Sequence, residues 1–422
     1  MLVDITRPRT SLHASVKTLR TAVFLFTAIL LSAGTAQAAR VHAPDPLQGD
    51  GRVSGFYTWV GEIPQAGRLL RQEKLEPALG LVNAGAQFRI LYSSTDGVDG
   101  KSPTVVSGLL FLPRGEPPPG GWPLLAWAHE TAGMADICAP SWVGYSTRIE
   151  AFLNAWLAHG MAVVATDYQG LGTPGPHPYM AVRPGAYGVL DSIRAAQKSF
   201  PAIGKKLLLA GYSQGGGAVF GAAALQPSYA PDLDISGTMA TGLAYTTPET
   251  AATMRDNTAS QVSYTLIYPL YLALVAQQAD SALKASDMFD EKALPLFEMT
   301  RRACVWQLAL EALGSGLTRA QSVKQGYAKA LAANMALLEY PSLKLPQPIF
   351  IGIGELDNDA PARLQLELAK RACSAGTTVE AHLYAGTTHD AAVTASLRGA
   401  MSFADKLLAG EAIAPVCMPE VE

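Results

Sequence analysis

Hydrophobic positions along the chain alternate between short continuous runs and longer amphipathic stretches. The continuous runs predict buried strands at residues 123–128, 161–166, 206–211, 349–353 and 379–384. The amphipathic stretches predict helices at residues 146–159, 187–200, 214–225, 361–373 and 389–408. Two further β-like runs come earlier, at residues 87–92 and 105–112. Strands buried on both faces and separated by helices indicate a mostly parallel sheet with helices on both sides, so we predict an α/β fold.

The alternation stops between residues 243 and 340. Helical patterning continues there without a convincing buried strand, at residues 262–275, 288–297 and 301–313. A block of roughly 100 residues between two strands favours an inserted helical cap, or lid, although extra outer helices of the same core are an alternative. We therefore predict a core in two parts, residues 39–242 and 341–422, with a helical cap at residues 243–340.

The first 38 residues have the pattern of a signal peptide. Basic residues precede the apolar stretch 21–34, and Ala36-Gln37-Ala38 supplies the small-x-small pattern of a cleavage site. The stretch is shorter than the roughly 20 residues that span a bilayer, which argues against an uncleaved anchor. We expect cleavage near Ala38 and a secreted protein, either extracellular or periplasmic.

Composition narrows the class of protein further. The chain has 422 residues, 49% of them hydrophobic, with 32 Lys and Arg against 35 Asp and Glu. This profile describes one large globular domain, or a domain with an insert. No basic cluster follows residue 20, so nucleic acid is excluded as a partner. The oligomeric state is left open.

The four cysteines are expected to form disulfides. Their number is even, and an exported protein meets an oxidising compartment, so two disulfides are favoured over metal ligation. The spacing does not choose among three pairings of Cys138, Cys304, Cys373 and Cys417.

A candidate nucleophile follows the predicted strand 206–211. The run Gly211-Tyr212-Ser213-Gln214-Gly215 is G-x-S-x-G between a strand and a helix. In a nucleophile elbow this arrangement places the serine hydroxyl on a strained turn beside a helix N-terminus, which favours developing negative charge. The alternative is a glycine-rich turn with an incidental serine. We predict that Ser213 is a nucleophile.

Two histidines follow Ser213, and the serine requires a base to accept its proton. His382 lies within the strand 379–384, where a structural imidazole is expected. His389 lies in the loop after that strand, where a general base is expected. We therefore assign the base to His389.

The carboxylate that orients the imidazole is expected in the loop after the strand 349–353. Asp357 is favoured over Asp359, and Glu355 comes third, because the loop has the G-x-x-D-x-x-x-P pattern usual in α/β-hydrolases. Asp359, just ahead of Ala360-Pro361, suits a helix-capping role instead.

An oxyanion hole requires two preorganised donors. The first is expected to be the backbone N–H of Gln214, and the second an amide of Glu130 or Thr131, after the strand 123–128. His129-Glu130 does not extend to the zinc motif H-E-x-x-H, because residue 133 is glycine. Gly352-Ile353-Gly354 is too short for a dinucleotide fingerprint. We assign no metal and no cofactor.

Several segments together resemble the secretory lipase family, the lipase A type of yeasts and many bacterial relatives. These are residues 127–133 (WAHETAG), 138–141 (CAPS), 165–179 (ATDYQGLGTPGPHPY) and 211–216 (GYSQGG). By itself, the Gly- and Pro-rich segment that begins at Asp167 is interpreted either as a lining of the active site or as a structural loop.

The resemblance extends from about residue 56 to residue 417. It implies an α/β-hydrolase core, a helical lid inserted before the acid-bearing strand, and hydrolysis of lipid esters. It implies a triad of Ser213, Asp357 and His389. It also implies the disulfides Cys138–Cys304 and Cys373–Cys417. A departure is Glu130, where bacterial relatives often carry glycine.

The predicted function is that of a secreted serine hydrolase acting on carboxylic esters, with a lipid ester such as a triacylglycerol as substrate and a lipid–water interface as a possible partner. One alternative is a carboxylesterase that cleaves soluble short-chain or aromatic esters. Another is an exported binding protein that keeps the fold without turnover. The triad alone also permits a peptidase or an acyltransferase.

Overall fold

The computed structural model of the protein describes residues 53–247 and 260–422. The predicted signal peptide lies outside the described residues. Within them, nine strands form one sheet in the order β1-β2-β3-β5-β4-β6-β7-β8-β9. In the same part of the chain, no helix is both long and apolar enough to cross a membrane.

The strands are numbered along the chain. From β1 to β9 they are Leu69–Lys74, Ala84–Thr95, Pro103–Pro113, Trp122–Ala128, Ala162–Thr166, Ile203–Tyr212, Ile235–Thr241, Ile349–Gly354 and Val379–Tyr384. The described helices, α1 to α12, are Pro140–Val143, Thr147–Ala158, Val182–Ser199, Gln214–Tyr229, Ile267–Ala279, Ala285–Met288, Leu294–Met299, Val305–Gly314, Arg319–Ser322, Gly326–Leu338, Ala362–Ser374 and His389–Leu408.

Most of the sheet is parallel, as the alternating pattern predicts. Strands β1, β2 and β3 pair antiparallel, and β3 is antiparallel to β5. All pairings from β5 through β4 to β9 are parallel. The carboxyl ends of β4, β6, β8 and β9 therefore meet at one edge of the sheet, where open α/β folds place their sites.

Hydrophobic side chains cover both faces of this sheet. Along β4, Leu124 and Ala126 belong to one buried cluster, whereas Leu125 and Trp127 belong to another. Successive side chains of a strand point to opposite faces, so β4 is buried on both sides. This double burial explains why its sequence is a continuous apolar run rather than an alternating one.

Helices α5 to α10 lie between β7 and β8 in the chain, and we call residues 260–340 the helical insertion. Most residues of one hydrophobic cluster belong to the insertion, among them Tyr271, Phe289, Phe297 and Tyr327, and Met134 and Tyr179 of the core pack into the same cluster. The insertion is joined to the segment after β4 by the disulfide between Cys138 and Cys304 and by a β-bridge from Gly133 to Cys304.

A second disulfide joins Cys373, at the end of α11, to Cys417 in the C-terminal tail. The tail also adds a bridge at Val416 to Glu380 of β9. Both disulfides are the pairs that the family resemblance implies.

The hydrophobic pattern does not predict strands β1 and β7. Strand β1, with the sequence LLRQEK, has no fully buried residue and so no buried apolar run. The sequence of β7, ISGTMAT, contains five small or hydroxyl-bearing residues, so it has no continuous apolar run. Strand β7 nevertheless lies between β6 and β8 and pairs with both strands from Thr238 to Thr241, and Thr238 is completely buried. The ladder hydrogen bonds, rather than the side chains, decide its conformation.

Candidate active site

Ser213 occupies a strained turn between β6 and α4. Its backbone has φ 56° and ψ −119°, a conformation that non-glycine residues rarely adopt. Its amide donates to the carbonyl of Thr241 at the end of β7, over 2.9 Å. Strain of this kind persists only where the surrounding structure imposes it, and it is concentrated at functional sites.

The two glycines of the motif allow the chain to pass close to itself. A Cβ on Gly211 would lie 2.2 Å from the carbonyl oxygen of Gly215, and a Cβ on Gly215 would lie 1.9 Å from the carbonyl oxygen of Ala128. Both partners are backbone atoms, which cannot rotate away. The elbow thus brings the start of α4 directly against the end of β4.

His389 lies beside Ser213, although 176 positions separate them. The hydroxyl oxygen of Ser213 is 2.8 Å from Nε2 of His389, the first residue of α12. The imidazole packs against Gly242, where a Cβ would come within 3.0 Å of it, and near the ring of Tyr212. Tyr212 also donates a hydrogen bond to the carbonyl of His389.

Asp357 contacts the other nitrogen of that imidazole. Its Oδ2 is 2.7 Å from Nδ1 of His389 and also accepts from the amide of Gln365 at 2.9 Å. Its Oδ1 accepts the backbone N–H groups of Asp359 and Ala360. The carboxylate is 3% exposed and has four hydrogen bonds, so its orientation is fixed.

Burial and charge act on His389 in opposite directions. Burial lowers the pKa of the imidazole, whereas the hydrogen bond and negative charge of Asp357 raise it, and the net pKa lies above the ordinary value of 6.5. The carboxylate therefore stabilises the protonated imidazole, which is what a general base requires after it accepts a proton.

Asp359 has a different role from the helix cap that the sequence suggests. Helix α11 begins after Pro361 without a side-chain cap. The carboxylate of Asp359 instead accepts hydrogen bonds from Tyr264 and Tyr268 of the helical insertion. It thus joins the acid-bearing loop to the insertion, a long-range contact that local spacing does not reveal.

Glu355 and His382, the other candidates for the acid and the base, form no hydrogen bond with Ser213 or His389 among the described residues. Glu355 accepts from the amide of Gly386. The ring of His382 lies between the carboxylates of Glu380 and Glu422. Both groups have hydrogen-bond partners other than Ser213 and His389, in keeping with structural roles.

The predicted oxyanion residues lie at the two segments that the elbow brings together. Gln214 is the first residue of α4, where backbone N–H groups have no partner within the helix. Glu130 and Thr131 follow the end of β4. The hydroxyl of Thr131 is 2.8 Å from that of Tyr179, and the carboxylate of Glu130 is 3.8 Å from Arg148.

Burial also acts on the carboxyl group of Glu130. It raises the pKa of this group above its usual value, against the opposing charge of Arg148. Arg148 pairs in addition with Asp390, the residue after the candidate base. Arg148 thus links the buried carboxyl group of Glu130 to the residue that follows His389.

A cavity of about 210 Å³ opens onto Ser213 and His389. Core residues beside the elbow, among them Tyr179 and Met180, form one wall. The helical insertion supplies the opposite wall, which consists of Thr265, Tyr268, Pro269, Leu272, Arg319 and Tyr327. The cavity therefore lies between the core and the insertion, with the hydroxyl of Ser213 at its inner surface.

Gln365 and Tyr179 are contacts that the sequence reasoning did not assign. Gln365 is an ordinary helix residue, and no local pattern marks it as a partner of Asp357. Tyr179 belongs to residues 165–179, one of the segments that resemble the secretory lipase family. That resemblance draws attention to the segment but does not identify Thr131 as the partner of Tyr179.

Residues 140–414 match the protein-family model described as secretory lipase. Lipase 7 of Candida albicans is 40% identical over 115 residues, which are 24% of this chain and 25% of the relative. A probable inactive lipase of Mycobacterium tuberculosis is 34% identical over 187 residues, 40% of each chain. The chain thus matches less than half of the length of these curated relatives.

Solved structures share the fold over a much longer span. Candida antarctica lipase A in its closed state has a TM-score of 0.70 at 20% identity, covering 90% of this chain and 91% of that one. The rice cell wall degrading esterase LipA of Xanthomonas oryzae has a TM-score of 0.64 at 19% identity, covering 83% and 100%. The predicted α/β-hydrolase fold is confirmed.

Proposed function

The chain belongs to the secretory lipase family, and from that premise we propose that it is an exported serine hydrolase that cleaves lipid esters. The observation that carries the proposal is the line of contacts from Ser213 through His389 to Asp357, at 2.8 Å and 2.7 Å. In this proposal the three residues act as nucleophile, general base and orienting carboxylate.

The first half of the reaction is acyl transfer to the enzyme. His389 accepts the proton of Ser213 as its oxygen attacks the ester carbonyl. The negative charge that develops on the carbonyl oxygen is stabilised by the amide of Gln214 and by an amide of Glu130 or Thr131. The protonated imidazole then gives its proton to the leaving alcohol, and the acyl group remains on Ser213.

The second half releases the acid. A water molecule gives a proton to His389 as its oxygen attacks the acyl-enzyme, and the same amides stabilise the second tetrahedral intermediate. The imidazole returns that proton to the oxygen of Ser213 as the intermediate collapses. Asp357 holds Nδ1–H throughout, so that Nε2 always faces the reacting oxygen.

Two features support export of the protein. Disulfides persist in oxidising compartments, and the chain has two, Cys138–Cys304 and Cys373–Cys417. The signal-peptide pattern of residues 1–38 agrees with this assignment.

A carboxylesterase that acts on soluble esters is the second candidate. The cavity of about 210 Å³ favours it, because pockets that enclose larger ligands span about 300–1,000 Å³. The hydrogen bonds from Tyr264 and Tyr268 to Asp359 also hold the insertion against the core. Long acyl chains would require the insertion to move, whereas short ones would not.

Hydrolysis of p-nitrophenyl esters from acetate to palmitate, alongside an emulsified triacylglycerol, separates these candidates. A lipase is expected to gain rate sharply once the substrate exceeds its solubility limit. A carboxylesterase would show its highest kcat/KM on short soluble esters and no such gain.

Labelling with a fluorophosphonate tests whether the site turns over at all. The probe is expected to modify wild-type protein and to leave Ser213→Ala unmodified. A folded wild-type protein that neither reacts with the probe nor hydrolyses any ester would instead favour the non-catalytic binding protein. One relative, from M. tuberculosis, is named a probable inactive lipase.

A further inference from the structure

The segment from Asp167 to Tyr179, here called the 167–179 loop, connects β5 to α3 and has no role in the mechanism above. Connecting loops generally run over the surface, yet nearly all of this one is buried. Its backbone is also constrained. Tyr168 has φ 69°, and a Cβ on Gly170 would lie 2.2 Å from the carbonyl oxygen of Pro176. A buried and strained loop indicates that its conformation serves a neighbouring site.

Two tyrosines of this loop hold the segment after β4. The hydroxyl of Tyr168 donates to the carbonyl of His129 over 2.7 Å, and the hydroxyl of Tyr179 is 2.8 Å from that of Thr131. His129 and Thr131 flank Glu130 on either side. The loop therefore fixes both ends of the stretch that carries the candidate donors Glu130 and Thr131.

A histidine of the same loop holds the other side of the candidate oxyanion hole. Nδ1 of His177 is 2.9 Å from the carbonyl oxygen of Gln169. A carbonyl can only accept, so Nδ1 carries the hydrogen and Nε2 is left as an acceptor. Nε2 lies 3.2 Å from the side-chain nitrogen of Gln214, which therefore donates to it.

The tautomer of His177 determines the orientation of the side-chain amide of Gln214, because an acceptor at Nε2 requires the NH₂ group to face it. His177 is 2% exposed, and burial lowers its pKa to about 4, so the ring stays neutral near pH 7. Its ring also lies parallel to that of Tyr168, at 17°. Hydrogen bonds at both ring nitrogens and the neighbouring ring of Tyr168 hold the imidazole in place, and Nε2 in turn holds the side chain of Gln214.

We propose that His177, Tyr168 and Tyr179 are positioning residues that set the geometry of the oxyanion hole. One loop contacts the residues on both sides of the hole, Gln214 at the start of α4 and the His129–Thr131 stretch after β4. The inference rests on the proposed function, since it concerns donors that act in acyl transfer.

The physical reason is preorganisation. Amide donors stabilise an oxyanion only when they already point at the place where the charge develops. A displacement of about 1 Å can cost about a hundredfold in rate. The donors here belong to two separate segments, so a rigid element that touches both is needed to keep their separation constant.

Tyr179→Phe is the first test, because it removes one hydroxyl and conserves the ring. We expect kcat to fall about tenfold with KM nearly unchanged, and the affinity for a trifluoromethyl ketone that mimics the tetrahedral intermediate to fall by a similar factor. Tyr229→Phe is the matched control, because that hydroxyl contacts Asp191 and Thr95, remote from Ser213. It is expected to leave kcat unchanged.

His177 is tested by a pair of substitutions and a double-mutant cycle. His177→Leu is expected to lower kcat about tenfold or more, and His177→Gln to recover part of that loss, because Gln supplies one donor and one acceptor. Gln214→Met keeps the backbone N–H and removes the side-chain amide. The variant with both His177→Leu and Gln214→Met should be no slower than the slower single variant.

A purely structural loop gives a different result. If the loop is only structural, Tyr179→Phe and His177→Leu lower Tm but keep the wild-type kcat and inhibitor affinity. That result would show the inference to be wrong. If His177→Leu does not fold, Tyr179→Phe and Gln214→Met decide the question. Ser213→Ala separates this outcome from failure of the proposed function. If the proposed function is right, Ser213→Ala abolishes hydrolysis; if it is wrong, Ser213→Ala hydrolyses esters at the wild-type rate or the wild type hydrolyses none.

Discussion

The phenolic oxygen of Tyr264 lies 2.8 Å from both carboxylate oxygens of Asp359. Tyr264 belongs to the helical insertion, and Asp359 lies two residues after the carboxylate that holds His389. Tyr268 adds a third hydrogen bond to the same group. The insertion and the acid-bearing loop are therefore joined at the edge of the cavity.

Tyr264→Phe is expected to loosen this junction. Removing the hydroxyl should lower the free energy of unfolding by about 1 kcal/mol and raise the rate on p-nitrophenyl palmitate relative to acetate, because a wider cavity admits longer chains. The measurement is the ratio of kcat/KM for the two esters, with Tyr229→Phe as the control. A lower Tm with an unchanged ratio would mean that the contact stabilises the fold without limiting access.

Two substitutions of Ser213 separate strain from chemistry. Ser213→Ala and Ser213→Gly should both lose hydrolysis, since neither has a hydroxyl. Only glycine adopts φ 56° without strain, so Ser213→Gly should be more stable than Ser213→Ala by roughly 1 kcal/mol, after the entropy that glycine costs. Urea unfolding of the two variants measures the difference, and equal midpoints would contradict stored strain at the elbow.

The pH profile of activity should respond to Asp357. The hydrogen bond and charge of Asp357 outweigh burial and raise the pKa of His389, so the acid limb of kcat/KM should lie above pH 6.5 in the wild type. In Asp357→Asn the charge is absent and burial remains, so the limb should move to lower pH. The rate should fall about 10⁴-fold because the imidazole is no longer held in the required tautomer.

The control for this experiment is Asp359→Asn. It carries the same change two residues away but has no hydrogen bond to His389, so its rate should stay far above that of Asp357→Asn. The charge of Asp359 also raises the pKa of His389, so the acid limb should move to lower pH by less than in Asp357→Asn. An acid limb that does not move in Asp357→Asn would show that another group sets the pKa of the base.

The two disulfides should contribute unequally. Cys138–Cys304 closes a sequence separation of 166 residues and Cys373–Cys417 one of 44, so replacing the first pair with alanine should lower stability more, within about 2–5 kcal/mol for each pair. The first pair also adjoins the segment that carries Thr131, so its removal should lower kcat, whereas removal of the second should not. Thermal unfolding and kcat of both double variants check this.

The sequence predicts most of the sheet and the three residues of the contact line. The motif around Ser213 works as a signal because its requirements are local: a strand, two glycines and a helix. His389 and Asp357 follow from chain order and loop position. The structure brings His389 to Ser213 and Asp357 to His389, whereas Asp359 and His382 have other partners.

The rest depends on contacts between distant residues. Strand β7 is decided by its neighbours' backbones rather than by apolar side chains, so its sequence carries little signal. Gln365 and Asp359 have ordinary local sequences, and their partners, Asp357 and Tyr264, are known only after folding. The Gly- and Pro-rich sequence of residues 165–179 predicts a loop that either lines the active site or is structural. It does not predict which residues that loop contacts.

The cavity wall is formed partly by the core and partly by the helical insertion, and this division bears on the choice of substrate. The reacting groups belong to the core, where Gly215 packs against Ala128 so tightly that no side chain can be added. Thr265, Tyr268 and Leu272 line the same cavity from the insertion. On the proposed function, substitutions at these three positions should therefore change which acyl chains are accepted and leave the contacts among Ser213, His389 and Asp357 in place.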